Sequence, residues 1–390
     1  MSDKRNIFTR FLVWRMRNIS NKNFILILSL IIGVLAGIGA VLIKNSVHFI
    51  RTLLTDNIAG QVGNFLYFIF PIIGIGLAVL FMNFIIKKRV GHGIPSVLYA
   101  IAKKGGKLEA HNLFSSIVTT TFTVGFGGSV GLEGPTVATG AGIGSNVARV
   151  FHLNYKETVL LLGAASTAAM AAIFKAPITG VVYVLEIFML DLTMSSLIAL
   201  LLASSSAVLT SFFFLGKDVV YPVAIDYSLS FNEVPFFIII GILGGLFGLY
   251  YFKVYSGLSR VFDKIRSWII RLFIAGSALG ILLFLFPSLY GEGYGPINMA
   301  LNGDYSFIYS DSILIGNADS NFLLIIGILL LTIFLKVITM TLTFKAGGIG
   351  GVFAPTLFVG AVLGLTFGLA ANHFLGTDLP VPVFALVGMA

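Results

Sequence analysis

Gly127-Gly-Ser-Val-Gly-Leu-Glu-Gly-Pro-Thr136 returns 220 residues later as Gly347-Gly-Ile-Gly-Gly-Val-Phe-Ala-Pro-Thr356. At that constant offset Gly127, Gly128, Gly131, Pro135 and Thr136 all recur. Without a gap the match runs on from Gly140, Ala141 and Gly144 to Gly360, Ala361 and Gly364, giving eight identities in 18 positions. Glycine is common in this chain, so some identities come free. The shared Pro-Thr and the unbroken register do not. Internal repeats set the architecture of a chain, and paired interrupted segments in two apolar halves point to a transporter's substrate site. The register sets Glu133 opposite Phe353.

Outward from these two breaks the chain is apolar. Of its 390 residues 57% are hydrophobic and 11% charged, against about 25% charged in a soluble domain. Crossing about 30 Å of hydrocarbon takes roughly 20 apolar residues. Phe24–Ile43, Phe65–Ile86, Ser195–Leu215, Phe236–Phe252, Ile269–Phe286 and Phe322–Thr343 read as spans. In lipid every backbone group must be satisfied internally. The runs lack the alternation of a barrel strand, so they are helices. Between Gly91 and Leu190 the segments look short, rich in Gly, Ala, Ser and Thr, and broken by Pro95, Pro135 and Pro177. Small residues let helices pack closely, and breaks survive only where protein or water covers them. The predicted fold is an all-α polytopic membrane protein, made of two inverted-topology repeats with broken, tilted helices.

Four stretches divide the chain: an interfacial N-terminal segment at 1–22, a first repeat at 23–215, an extramembrane loop at 216–235 and a second repeat at 236–390. Leu162-Gly163-Ala164-Ala165 resembles Val387-Gly388-Met389-Ala390, after which the first half continues and the second stops. On that reading the second repeat lacks its last helices. Phe8–Arg17 is basic and amphipathic and suits a membrane surface. Lys4, Arg5, Arg10, Arg15 and Arg17 argue for a cytoplasmic N-terminus, and Lys87, Lys88, Arg89, Lys103, Lys104 and Lys107 return to that side. The expected location is the inner membrane of a prokaryote, crossed many times. The net charge of +9 then reflects topology rather than nucleic-acid binding. No small-residue cleavage site follows the first span. The absence of cysteine removes disulfides and thiolate metal sites.

A helix starting near Gly134 would aim backbone N–H groups and the positive end of its dipole at the Gly-rich turn before it. The same holds at Phe353-Ala354-Pro355. Proline in a first helical turn loses an N–H that is unpaired there anyway. Two such termini could hold a dehydrated anion without a full charge, which eases release. The simpler alternative is that these glycines only let helices pack. Glu133 either mimics and competes with the anion, leaving the site when protonated, or simply caps its helix; local sequence does not separate the two. His92, in Gly91-His-Gly-Ile-Pro95, either donates to an anion or titrates at the interface. Glu186 is an intramembrane carboxylate, favoured here as a structural hydrogen-bonding group. Lys336 and Lys345 flank the second break and either raise its potential or snorkel.

Other chemistries find little support. Gly140-Ala-Gly142-Ile-Gly144 follows no strand of a βαβ unit, so it is no dinucleotide loop. Five scattered histidines make no zinc site. No cofactor or metal is expected. An organic-solute carrier would need a solute-matching polar cluster, and an intramembrane hydrolase a nucleophile–base pair beyond Ser129 and His92.

Together these segments resemble the CLC family of chloride channels and proton-coupled exchangers. Gly91-His-Gly-Ile-Pro95 is similar to the family's Gly-Ser-Gly-Ile-Pro, Gly131-Leu-Glu-Gly-Pro135 to Gly-Lys/Arg-Glu-Gly-Pro, and Gly351-Val-Phe-Ala-Pro355 to Gly-x-Phe-x-Pro. Ala176-Pro-Ile-Thr-Gly180 leading to Glu186 also fits, and the order agrees from about residue 25 onward. The resemblance implies a homodimer with one anion pathway per subunit, chloride or another small anion as substrate, and protons as a possible second. It makes Glu133 the external gate. His92, Gly93 and Ile94, Gly134 and Pro135, and Val352, Phe353 and Ala354 become the anion-binding groups. His92 stands where the family has an anion-coordinating serine, and Leu132 replaces a basic residue. Ile187 follows Glu186 where proton-coupled members commonly carry an internal glutamate. Since isoleucine relays no proton, the expectation is a CLC-type voltage-gated chloride channel or weakly coupled permease, with chloride/proton antiport as the alternative.

Overall fold

The computed structural model describes residues 7–59, 65–87, 90–91, 93–189, 193–222, 227, 230–309 and 321–390. His92, Lys4, Arg5, Lys88 and Arg89 lie outside them, as do 60–64 and parts of the 216–235 loop. Fifteen α-helices follow in order among the described residues: α1 Ile7–Asn18, α2 Asn21–Thr52, α3 Leu66–Leu80, α4 Ile94–Lys104, α5 Ser115–Gly125, α6 Glu133–Val150, α7 Tyr155–Phe174, α8 Pro177–Phe188, α9 Met194–Leu215, α10 Val234–Phe262, α11 Trp268–Leu285, α12 Tyr294–Leu301, α13 Phe322–Ala346, α14 Phe353–Leu375 and α15 Val381–Met389. Eight are long and apolar enough to cross a membrane: α2, α3, α7, α9, α10, α11, α13 and α14. The protein is an all-α, multi-pass membrane protein.

Each long helix shows which solvent it meets. On α2, Leu28, Ile32, Ala36 and Ile43 are buried, while Leu30, Ile31, Val34 and Leu42 are exposed. Apolar side chains on both faces, one packed and one bare, mark a helix between protein and lipid. On α10 nearly the whole apolar surface is bare, including Ile238, Ile242, Leu249 and Phe252. The first and fourth expected spans are longer than predicted. α2 continues to Thr52 and α10 to Phe262, because a helix keeps its own backbone bonds after the side chains turn polar.

The contacts divide the chain into two compact units, interleaved along the sequence rather than in series. One comprises Met1–Lys44, Val90–Ile117 and Pro135–Val219. The other comprises Asn45–Arg89, Val118–Gly134 and Val220–Ala390. In the first unit α7 is the core. Its apolar run was not among the expected spans; at 20 residues it is long enough, yet Leu161, Ala164, Ala168 and Met170 are fully buried. A Cβ on Gly140 of α6 would sit 2.5 Å from the carbonyl oxygen of Ala165, so the absence of a side chain there sets the helix spacing. α7 starts on an Asn154–Glu157 capping box. Lys175, just past its end, donates to the carbonyls of Leu215 (3.1 Å), Gly216 (2.8 Å) and Asp218 (2.6 Å), closing the C-terminus of α9. Arg15 lays its guanidinium 3.8 Å over the ring of Phe24 at the α1–α2 corner.

The second unit has a core of Leu279, Leu283, Leu289 and Ile75 around α3 and α11, and another of Ile297, Leu329, Ile333 and Phe358 around α12, α13 and α14. α14, expected as a broken segment, is a continuous helix of 23 residues that starts at the break. It packs on α15 as α6 packs on α7: Gly140 meets the carbonyl of Ala165 and Gly144 that of Leu161, while Gly360 meets that of Gly388 and Gly364 that of Phe384. These contacts relate the later helices by 223 residues, so Gly388 answers to Ala165 rather than to Gly163 as the sequence comparison had it.

Candidate functional site

The two breaks meet. Gly131 and Gly351, the 220-residue partners, form an antiparallel bridge with N–H to carbonyl distances of 2.8 and 2.7 Å. Glu133 and Phe353 are each the first residue of their helix, α6 and α14. The turns in front match bond for bond. Gly127 and Gly347 both take positive φ, +97° and +108°. Gly128 N–H donates to the Thr123 carbonyl (2.8 Å), and Gly348 N–H to that of Thr343 (2.9 Å). The hydroxyls then cross over: Ser129 N–H donates to Thr343 Oγ1 and Ile349 N–H to Thr123 Oγ1, both at 3.0 Å. A Cβ on Gly351 would lie 2.8 Å from the amide nitrogen of Gly134, so this approach of two backbones excludes any side chain there.

Glu133 is fully buried at this junction. The phenol of Tyr294 donates to its Oε1. The amides of Glu133 itself and of Ala354 face the carboxylate. Its Oε2 is buried and takes no hydrogen bond of good geometry. The carboxylate therefore occupies the concave space in front of the first turn of α14, where backbone N–H groups and the helix dipole favour a negative charge. A second carboxylate, that of Glu292, is near enough for its charge to act on it.

Tyr294 and Glu292 come from Gly291-Glu-Gly-Tyr-Gly-Pro296, a Gly-rich stretch that leads into α12. Gly291 and Gly293 both take positive φ, +63° and +91°. Lys336, expected to snorkel or to lend its field to the break, does not reach an interface. It is fully buried midway along α13 and donates to the carbonyls of Leu289 (3.2 Å) and Gly291 (2.9 Å), with Nζ 4.9 Å from the centre of the Phe358 ring. Lys345 instead pairs with Asp263 at 3.1 Å. The rule that flags intramembrane carboxylates applies to Glu292 as much as to Glu186 and was the available signal for it.

The structure brings Glu133, Gly134, Val352, Phe353 and Ala354 together, with Pro135 the next residue along α6. Val352 is exposed and lines a cavity of about 570 Å³ with Phe237, Gly244, Tyr251, Thr356 and Gly360. Gly93, Ile94 and Pro95 belong to the other compact unit. Gly93 (φ +69°) precedes α4, and its carbonyl accepts from Ser96 Oγ at 2.6 Å, so the third expected break is a real helix start. Glu186 and Ile187 lie near the end of α8, with Glu186 exposed on this chain.

A multi-pass membrane protein with two helix N-termini converging on a buried acidic side chain is built to handle anions. Residues 74–390 match the family described as Voltage gated chloride channel, and the chain belongs to that family. Membership makes it an anion-transport protein of the CLC type and not an enzyme. It is 29% identical over 380 residues to the H(+)/Cl(-) exchange transporter ClcA of Vibrio parahaemolyticus, covering 94% of this chain and 77% of that one. It is 27% identical over 383 residues to ClcA of Klebsiella pneumoniae strain 342, covering 94% and 76%. Its fold is similar to that of a slow cyanobacterial Cl-/H+ antiporter (TM-score 0.75, 22% identity, 94% of this chain and 84% of that one). A CLC-type fluoride/proton antiporter gives the same TM-score of 0.75, with 23% identity over 94% and 85% of the two chains.

Proposed function

We propose that this chain exchanges chloride for protons across the membrane, with Glu133 as the gate. The observation that carries the reading is the seating of the Glu133 carboxylate against the first turn of α14, in the place an anion would take. A carboxylate there competes with chloride while charged and gives up the seat when protonated, so one side chain links the two ions. The backbone amides at Gly134, Val352, Phe353 and Ala354 serve the anion at one end, and those of Gly93 and Ile94, with His92, serve it elsewhere along the path. Chloride is substrate, and no cofactor enters. The expectation from Ile187 leaned toward a channel or a weakly coupled permease. The relatives named as H(+)/Cl(-) exchange transporters favour exchange instead. With isoleucine at 187, the inner leg of the proton path must use other groups. Homodimeric assembly, an N-terminus on the cytoplasmic side and residence in a prokaryotic inner membrane complete the reading, the orientation resting on the basic residues of α1.

The test is chloride efflux from proteoliposomes with simultaneous proton recording. A chloride gradient should drive protons uphill in fixed proportion. Chloride flux without uphill proton movement would return the channel-like reading favoured by Ile187. Glu133→Gln should conduct chloride with its pH dependence abolished and its proton movement lost; a pH profile like the parent's removes Glu133 from the gate.

A further inference from the structure

We propose that Tyr294 is a positioning residue of the gate: its phenol holds the Glu133 carboxylate in the seat at the start of α14. The inference rests on Glu133 being the gate and adds a group outside the family motifs quoted above.

The tyrosine is placed with care. It opens α12 directly after Gly293, where a Cβ would come within 2.7 Å of the Phe358 ring. The loop leading to it is tied down by Lys336, which holds the carbonyls of Leu289 and Gly291. Tyr290, between those carbonyls, donates to the carbonyl of Gly125 at 2.8 Å. The ring of Tyr294 is flanked edge-on by Tyr221, with centroids 5.8 Å apart and planes at 80°. Its hydroxyl is thus delivered to Glu133 Oε1 by a segment fixed on each side.

The groups around the carboxylate come from several elements. From α12 comes the Tyr294 hydroxyl. From the loop before it comes Glu292, and from the segment ahead of α10 comes Tyr221. From α6 and α14 come the amides of Glu133 and Ala354. Lys336 and Arg51 act on neighbours of this group, Glu292 and Tyr290. The phenol donates to this carboxylate from a side chain held on both sides. A hydrogen bond to a charged acceptor is roughly twice as strong as one to a neutral acceptor. Tyr294 thus favours the seated, charged carboxylate over the protonated one, and it offsets the repulsion from Glu292.

The experiment measures chloride efflux against pH for the full chain in liposomes, comparing the parent with Tyr294→Phe, Glu133→Gln and the double variant. Tyr294→Phe should move the midpoint of acid activation up by roughly 0.5–1 pH unit and raise flux severalfold at the alkaline end. In the Glu133→Gln background the same substitution should change nothing, since its partner carboxylate is gone. Incorporating 3-fluorotyrosine at 294 keeps the ring, strengthens the donor and should move the midpoint down; it also serves if Tyr294→Phe folds poorly. An unmoved midpoint beside a pH-flat Glu133→Gln overturns the role of Tyr294 alone. An equal change in both backgrounds reduces Tyr294 to a packing role and overturns it too. A Glu133→Gln variant that keeps its pH dependence overturns the gate reading itself.

Discussion

At the scale of single residues, Lys336 shows what a buried charge can be for. A full ammonium in the middle of an apolar helix is expensive. Here it is offset by two carbonyls and by the nearby Glu292. Lys336→Met should cost about 1–3 kcal/mol, because the buried carbonyls of Leu289 and Gly291 lose their donor and a nearby positive charge is taken from Glu292. Thermal unfolding in detergent measures the loss. Adding Glu292→Gln should recover part of it, and a double variant no better than the single would show that the two residues are not coupled. Sequence reading placed Lys336 near the second break and left two fates open, lending its field there or snorkelling; its burial removes the second. Snorkelling is a matter of depth along a helix, and depth depends on where α13 begins and what covers it. Glu133 was legible because its neighbours form a repeat. Tyr294 was not, because 161 residues separate it from its partner and nothing local marks a phenol as a donor to a gate.

At the scale of elements, the legible part was the pair of helix starts. The offset of 220 residues located both to within a residue, since glycine, proline and a short turn constrain the backbone directly. The length of α14 was missed for the opposite reason: a Gly-rich segment suggests broken helices, yet inside a helix bundle Gly360, Gly364 and Gly368 act as contact points. Substituting a glycine at such a contact has a predictable cost. Gly140→Val would drive a side chain into the backbone of α7 and should destabilise the protein by about 1–3 kcal/mol or more. Gly248→Val, on α10, meets nothing within 4 Å and should stay within about 0.5 kcal/mol of the parent. Equal melting temperatures for the two variants would mean that glycine does not set the helix spacing here.

At the scale of the whole molecule, composition alone was enough to name the solvent. Apolar runs of sufficient length have one reading when the charged fraction falls to 11%. The sequence does not show which runs face lipid and which face protein. α7 and α10 are both long and apolar, yet one is wrapped in protein and the other is bare. The absence of cysteine allows a direct check, because single cysteines can be introduced without background. Spin labels at Ile242 and Leu249 should collide freely with oxygen dissolved in the bilayer, while labels at Ala165 and Ala168 should be shielded. The reverse pattern would contradict the arrangement described here.

The crossed hydroxyls of Thr123 and Thr343, with the Gly131–Gly351 bridge between them, bear on how such a protein can work at all. Two helix ends laced together at four points form a stiff collar. Prising them apart would sacrifice all four hydrogen bonds at once, away from any water able to replace them, at about 1–3 kcal/mol for each group left unmet. Swinging one glutamate about its side-chain torsions gives up only the bonds of its own carboxylate and crosses the low barriers between staggered rotamers. The economical moving part is therefore a handful of atoms. The throughput of the pathway should then follow how often a proton arrives at that side chain rather than how fast a helix can be displaced.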